Sequence, residues 1–126
     1  MSDFIRSRLR AFHHAFRGLW FVIKTQRNAW IHAVVSLLVI AVSFWLRLPP
    51  GDWALIILSI ALVWTAEFIN TALEAVVDLA SNHERHILAR VSKDVGAAAV
   101  LIAALASLLI GLLVLGPPLW DKIQAW

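Results

Sequence analysis

Residues 53–80 read WALIILSIALVWTAEFINTALEAVVDLA, a stretch that changes from apolar to polar along its length. Its second half carries polar residues where a membrane helix normally carries apolar ones, namely Glu67, Asn70, Glu74 and Asp78. Residues three or four apart share one face of a helix, so the carboxylates form a stripe. Because an ionisable side chain within a membrane is costly, it marks a candidate functional site. The stretch predicts a membrane-spanning helix with polar chemistry on one face.

The composition of the whole chain also favours a membrane protein. Of the 126 residues, 61% are apolar, and runs near the length needed to cross a bilayer recur along the chain. The chain has no cysteine, which excludes disulfides, thiol nucleophiles and thiolate metal sites. The formal net charge is +3, and residues 1–28 hold six lysines or arginines against one aspartate. Such a basic segment suits anionic lipid or phosphate, and no nucleic-acid partner is expected in so apolar a chain.

The apolar pattern predicts an all-α membrane protein, a helical bundle in a single domain that covers residues 1–126. Residues 4–24 have the pattern of an amphipathic helix in the membrane interface, with simple anchoring as the alternative. Transmembrane spans are predicted at residues 29–48, 53–79 and 95–115. Between and after them, PPGD at 49–52 predicts a tight turn, SNHERHILARVS at 81–92 a polar loop, and GPPLW at 116–120 the end of the third span.

The distribution of lysine and arginine predicts the orientation. The N-terminal segment and residues 81–94 are rich in basic residues, so both are expected on the cytoplasmic side, with the C-terminus outside. The third span also carries a stripe of small residues four apart, Ala99, Ala103, Ser107 and Gly111. Such a stripe allows close helix packing. It is consistent with homo-oligomerisation or with packing against the chain's own helices.

The depth of the polar residues in the second span predicts different roles for them. Counted from Trp53 at about 1.5 Å per residue, Glu67 lies roughly 21 Å along the helix and Glu74 roughly 31 Å. The apolar layer of a bilayer is about 30 Å thick, so Glu67 is expected inside it and Glu74 near its cytoplasmic boundary. The alternative is that Glu74 and Asp78 form the solvated end of a long helix, and that Asn70 only bonds a neighbouring helix.

SKDVGAAAV at residues 92–100 places Lys93 and Asp94 at the start of the third span, across a short loop from Glu74. A cation, several carboxylates and an amide at one surface can hold a divalent cation and a polyphosphate, because Mg²⁺ prefers oxygen ligands. The alternative is that Asp94 is only a helix-start residue. Neither a GxxxxGK[ST] loop nor GxGxxG occurs, so no glycine-rich loop would hold the phosphates of a nucleotide.

Two motifs together resemble a known family. AEFINTALEAVVDLA at residues 66–80, followed by SKDVGAAAVLIAAL at 92–105, is similar to the prokaryotic diacylglycerol kinase and undecaprenol kinase family. The resemblance extends from about residue 12 to residue 115. It implies a small three-span enzyme of the bacterial cytoplasmic membrane, with an amphipathic N-terminal helix, assembled as a homotrimer. It also implies transfer of the γ-phosphoryl group of ATP, with Mg²⁺, to a lipid alcohol.

The resemblance implies a role for each matching residue. Glu67 matches the catalytic base, which faces the lipid substrate. Glu74 matches a metal-binding glutamate, and Gln26 stands where many relatives carry a second one, although an amide is a poorer Mg²⁺ ligand than a carboxylate. The other implied contacts are those with ATP, at Lys93, Asp94, Asn70, Glu84, His86, His14 and Arg10, and those with the lipid, at Trp20 and Trp30.

The motif QRNAWIH at residues 26–32 favours one branch of the family. It resembles the undecaprenol kinases, which often carry Arg-Asn-x-x-x-His there, so undecaprenol is the expected substrate and diacylglycerol the alternative. Two other classes stay open, a small ion or solute transporter subunit and a non-catalytic assembly subunit. Against the transporter, the ionisable groups cluster at one surface and no broken helix is predicted at mid-membrane. A non-catalytic assembly subunit would not explain why Lys93, Asp94 and Glu74 are all expected at the same depth, near the cytoplasmic membrane surface.

Overall fold

A computed structural model describes residues 2–126, and this part of the chain is all-helical; Met1, within the predicted domain 1–126, lies outside it. The helices are α1 (Ser2–Thr25), α2 (Arg27–Leu46), α3 (Pro50–Ala80) and α4 (Ile87–Gln124). Three of them, α2, α3 and α4, are long and apolar enough to cross a membrane. The predicted all-helical class is therefore confirmed, and the three long apolar helices agree with the predicted number of spans. The interfacial position of α1 and the homotrimer stay predictions.

A single non-helical residue, Gln26, separates α1 from α2. Its backbone is extended, with φ −99° and ψ 117°. Its backbone N–H group still donates to the carbonyl oxygen of Val22 at 2.9 Å. Large apolar side chains of α1, among them Phe12 and Phe16, are exposed. The arginines of α1 are exposed as well, so this helix presents both apolar and basic surface outside the bundle.

The turn between α2 and α3 lies slightly earlier than predicted. Arg47 adopts the left-handed conformation with φ 55°, and its amide donates to the carbonyl oxygen of Phe44 at 3.1 Å. α3 then starts at Pro50. Proline suits a first helical position because the amide hydrogen it lacks would have no intrahelical acceptor there. Residues 50–52 of the predicted turn are consequently helical.

The loop between α3 and α4 is shorter than the predicted polar loop at residues 81–92. Asn82 and His83 have positive φ angles of 52° and 59°, which reverse the chain over residues 81–86. The His86 Nδ1 atom then accepts a hydrogen bond from the amide of Leu88 at 3.1 Å and caps α4. Because the cap satisfies a free amide at the helix start, α4 begins at Ile87 and residues 87–92 are helical.

α4 does not end at GPPLW, where the third span was predicted to stop. The helix continues through Pro117 and Pro118 to Gln124, although proline inside a helix removes an amide donor and normally favours a kink or a break. Its last turn is fastened to α2, because the Nζ atom of Lys122 donates to the carbonyl oxygen of Trp45 at 2.8 Å. The same ammonium lies 4.5 Å from the centre of the indole ring of Trp45. These contacts stabilise the helical segment beyond the prolines.

The core of the bundle is the pair α3 and α4, which form the most extensive helix–helix interface. Buried residues of α4 along this pair include Gly96, Val100, Ala103 and Val114. The Ser107 hydroxyl donates to the backbone carbonyl oxygen of Ser59 at 2.9 Å. Two residues of the small-residue stripe, Ala103 and Ser107, therefore pack against the chain's own α3. Ala99 is exposed.

Gly96 permits a close approach of α4 to the polar stripe of α3. A Cβ atom at this position would overlap the Oδ1 atom of Asn70 and would lie 3.1 Å from Cδ2 of Leu73. Any side chain at position 96 would therefore displace Asn70. The glycine matters here for the space that it leaves open.

We expect Gly96→Ala to lower the melting temperature of the detergent-solubilised protein. The new methyl group must push Asn70 away from its hydrogen-bond partner Glu74, and overpacking of a tight interface typically costs about 1–3 kcal/mol. Gly111→Ala is the matched control, because no atom lies within 4 Å of a Cβ built there. Replacing a mid-helix glycine with alanine should stabilise by about 0.5–1 kcal/mol. Equal melting temperatures for Gly96→Ala and the wild type would contradict this packing.

Candidate active site

The polar stripe of α3 runs from a buried to an accessible environment. The Glu67 residue is 1% exposed and Asn70 is 8% exposed, while Glu74 and Asp78 are half-buried. At roughly 1.5 Å per residue, Asp78 lies about 16 Å from Glu67 along α3. Within one chain, accessibility therefore increases along the stripe in the direction in which the predicted membrane depth decreases.

Asn70 links the buried and the accessible parts of the stripe. Its Nδ2 atom donates to Oε1 of Glu74 at 3.2 Å, which orients that carboxylate. Its Oδ1 atom is buried and has no hydrogen-bond partner among the described residues. Asn70 thus orients the carboxylate of Glu74 with its nitrogen and places its oxygen against Gly96 of α4.

His32 on α2 faces the deepest carboxylate, a pairing that sequence reasoning missed. The Nε2 atom of His32 lies 3.7 Å from Oε2 of Glu67. Both atoms are buried, and neither has a hydrogen-bond partner within the part of the chain that the structure describes. The sequence marks His32 only as the last residue of QRNAWIH. The contact depends on the alignment of α2 with α3, which no sequence pattern gives.

The indole ring of Trp64 packs against the imidazole ring of His32. The two rings meet edge to face with centroids 6.4 Å apart, and the ring of Phe68 lies tilted against the indole with a centroid distance of 6.1 Å. The Nε1–H group of Trp64 donates to Oγ of Ser36, one turn beyond His32 on α2, at 3.2 Å. α2 and α3 are therefore cross-linked next to Glu67, where the imidazole of His32 faces the carboxylate.

At the accessible end of the stripe, Lys93 of α4 forms an ion pair with Asp78 of α3. The Nζ atom donates to Oδ1, and both side chains are partly exposed. Asp94 points elsewhere, because its Oδ2 atom lies 3.8 Å from Nε of Arg90 and its side chain is mostly exposed. The ion pair of Lys93 with Asp78 contributes little to stability, because water screens partly exposed charges. Lys93 is therefore free to exchange Asp78 for another anion at little cost.

A cavity of about 650 Å³ lies where the α3–α4 loop meets the first turns of α4. Four of the residues assigned to ATP by resemblance line it, namely Glu84, His86, Lys93 and Asp94. Arg85 and Arg90 are also in its wall. Guanidinium and ammonium groups together suit a polyphosphate. The loop and α4 thus bring together the predicted nucleotide contacts of this region.

The other predicted contacts lie outside this cavity. Arg10 and His14 are exposed on α1, and Trp20 is exposed near the end of the same helix. Trp30 is exposed on the first turn of α2. Gln26 is half-buried at the junction, and its side chain makes no capping hydrogen bond. Its amide oxygen is consequently not engaged at the helix end.

The oxygen donors of the stripe fit Mg²⁺ as a partner of phosphate. Among the described residues, no three His, Asp or Glu side chains converge on a common metal position. The Glu74 carboxylate is nevertheless a half-buried hard donor, whereas Oδ1 of Asn70 is buried against Gly96. Mg²⁺ typically takes one or two carboxylates and completes its shell with substrate phosphates and water. This donor set therefore suits the cation when it arrives with a polyphosphate.

Comparison with known proteins agrees with this geometry. Residues 13–115 match the family model of prokaryotic diacylglycerol kinase. The chain is 40% identical over 111 residues to a diacylglycerol kinase of Synechocystis sp., and the match covers 88% of this chain but 63% of that longer protein. It is 38% identical to the undecaprenol kinase of Bacillus subtilis over 87% of this chain and 89% of the relative. The diacylglycerol kinase of Escherichia coli is 34% identical, with coverages of 80% and 82%.

The names of these relatives fall into two substrate groups, diacylglycerol and undecaprenol. Both groups consist of lipid kinases, so the matches do not support the transporter alternative.

Proposed function

Because this chain belongs to the prokaryotic diacylglycerol kinase family, a family of lipid kinases, we propose that it phosphorylates a lipid alcohol. The donor is the γ-phosphoryl group of ATP, and undecaprenol is the favoured acceptor, with diacylglycerol second. One observation carries the proposal: α3 holds a buried carboxylate, Glu67, within two turns of the half-buried Glu74, whose carboxylate accepts a hydrogen bond from the buried Asn70. QRNAWIH at residues 26–32 supports the choice of undecaprenol.

The accessibility gradient along α3 suits a reaction at the membrane boundary. A lipid alcohol keeps its hydroxyl near the surface while its chain stays among the helices, and ATP arrives from the aqueous side. The cavity beside the α3–α4 loop suits the nucleotide, with contacts from Glu84, His86 and Asp94. Lys93 would exchange its pairing with Asp78 for a phosphate oxygen. The two substrates then meet near Glu74.

The proposed reaction is a direct displacement at phosphorus. Glu67 accepts the hydroxyl proton of the lipid as the hydroxyl oxygen bonds to the γ-phosphorus and the bond to the β–γ bridging oxygen breaks, which releases ADP. Lys93 neutralises the charge that develops on the transferred group. Glu74 and the amide oxygen of Gln26 would hold Mg²⁺, which when bound offsets phosphate charge, and Asn70 would orient Glu74 near the transferred group. Phosphoryl transfer depends mainly on positioning and electrostatics, so this small set suffices.

The proposed setting is the bacterial cytoplasmic membrane. The basic residues of α1 and of the α3–α4 loop favour the cytoplasmic side for both, with the C-terminus outside. α1 would lie in the interface, where Arg10 and His14 reach the nucleotide and Trp20 contacts lipid. Trp30 would contact lipid from α2.

We expect γ-labelled ATP and Mg²⁺ to label undecaprenol when purified protein is mixed with vesicles that contain both undecaprenol and diacylglycerol. The label should appear as polyprenyl phosphate and should be lost when Mg²⁺ is chelated. Thin-layer separation of the lipid products gives the measurement. Label confined to phosphatidic acid would reverse the choice of substrate. Folded protein that labels neither lipid would overturn the kinase proposal.

We expect Glu67→Gln and Glu74→Gln to fail in different ways. Glu74→Gln removes a charged ligand near the surface and should weaken Mg-ATP binding. Glu67→Gln removes the proton acceptor, so nucleotide binding should persist while turnover falls by about 10²- to 10⁴-fold, the usual worth of a general base. Both quantities are measured in lipid bilayers by equilibrium binding and by initial rates. Loss of nucleotide binding in Glu67→Gln, with normal turnover of the bound fraction, would show that the deep carboxylate is a ligand or structural.

We further propose a homotrimer with sites shared between chains, as the family resemblance implies. The separation of about 16 Å along α3 between Glu67 and Asp78, the partner of Lys93, favours a site that joins Lys93 of one chain to Glu67 of another. Mixing equal amounts of Glu67→Gln and Lys93→Met chains should then restore about a quarter of wild-type activity, by random assembly. Each variant alone is the control. An active enzyme that native mass measurement shows to be monomeric would contradict this proposal.

A further inference from the structure

Several hydrogen-bonding groups near Glu67 are engaged with acceptors other than its buried carboxylate. The Nε1–H group of Trp64 is engaged with Ser36, the amide of Asn70 with Glu74, and the hydroxyl of Thr71 with the backbone oxygen of Glu67. The neighbour that remains is His32. Its Nε2 atom and Oε2 of Glu67 face each other at 3.7 Å, and both lack a partner within residues 2–126.

The energetic consequence of leaving these two atoms apart is large. A buried carboxylate without a hydrogen bond is much more costly than a paired one, and an unpaired buried imidazole nitrogen adds a cost of its own. A hydrogen bond needs a separation of about 2.9 Å, so a relative movement of roughly 0.8 Å closes the pair. The aromatic contact with Trp64 restricts the imidazole to this side of the carboxylate.

We propose that His32 is a positioning residue for Glu67. In this arrangement the Nε2–H group of His32 donates to Oε2 of Glu67, and Oε1 is left to take the hydroxyl proton of the lipid alcohol. The inference rests on the proposed function, because it gives Glu67 the role of proton acceptor. His32 does not touch the substrate; it sets the orientation of the carboxylate that does.

This arrangement gives the carboxylate a fixed direction in apolar surroundings. Without its donor, the ionised side chain would turn toward water at the membrane surface, away from the reacting hydroxyl. Misplacement of a catalytic group by about 1 Å can lower a rate by roughly 100-fold. The effect belongs to turnover and not to nucleotide binding, because the nucleotide contacts proposed above lie on other residues.

The kinetic test compares two replacements of His32 in vesicles with the labelled lipid as readout. His32→Gln keeps an N–H donor near the position of Nε2, and it should retain most of the wild-type turnover. His32→Met keeps the bulk without the donor, and its kcat should fall by up to about 100-fold with an unchanged KM for ATP. In a Glu67→Gln background, His32→Met should cause no further loss, since the two residues act as a unit.

The control is Ser43→Ala, which alters a fully buried polar residue in the outer half of the same helix. It should leave kcat unchanged. A His32→Met enzyme with wild-type kcat, or with the same loss in both backgrounds, would overturn the positioning role. An equal loss in His32→Gln and His32→Met would also overturn it, because the donor would then not be what matters.

A spectroscopic test does not require activity. In protein labelled with ¹⁵N at its five histidines, the His32 resonance is identified by its loss in His32→Gln. Its ring nitrogens should show a protonated Nε2 and should shift in Glu67→Gln, while the other histidines stay unchanged. An unprotonated Nε2, or no shift, would overturn the inference even if His32→Met does not fold. A wild type that labels no lipid but shows this coupling would instead remove only the proposed function.

Discussion

The burial of the Glu67 carboxylate between apolar helices is the constraint on which the rest of the site depends. A carboxylate that is 1% exposed is stable only where its surroundings supply hydrogen-bond donors, since water is excluded. α2 places His32 beside the carboxylate, with its Nε2 atom 3.7 Å from Oε2 of Glu67, and the ring of Trp64 packs against the imidazole. The position of α2 relative to α3 and the chemistry of the site are therefore aspects of one interaction.

The pair α3 and α4 extends this constraint to the membrane surface. Gly96 lets α4 approach Asn70, and Asn70 orients Glu74 through its amide. Because α3 is one uninterrupted helix from Pro50 to Ala80, the spacing between the buried and the accessible carboxylate is fixed by helix geometry. A shift of α4 at Gly96 would therefore reach the nucleotide side of the site through Asn70 and through the ion pair of Lys93 with Asp78.

Sequence reasoning predicted the features that depend on local pattern and missed those that depend on how helices align. The three spans and the gradient from Glu67 to Asp78 follow from hydropathy and helical spacing. The pairing of His32 with Glu67 needs the relative register of two helices. The ends of α4 differ from the predicted ones because each depends on a single contact. His86 caps the start of α4, and Lys122 bonds its last turn to α2 beyond the prolines.

The same geometry explains how one arrangement can serve lipids as different as those named for its relatives. The groups proposed to act, Glu67, Glu74 and Lys93, meet only the hydroxyl and the phosphates, and these are common to a polyprenyl alcohol and to diacylglycerol. The two lipids differ in their apolar chains, one long isoprenoid against two acyl chains, and those lie deeper in the bilayer than the hydroxyl. Selection between the lipids must therefore come from the apolar surfaces beside the polar stripe, where shape and not charge discriminates. His32 lies at the border of the two regions, because it is part of the apolar helix α2 and yet faces Glu67, the proposed proton acceptor. A substitution of His32 is therefore expected to change the rate of phosphoryl transfer without changing the contacts proposed for the nucleotide.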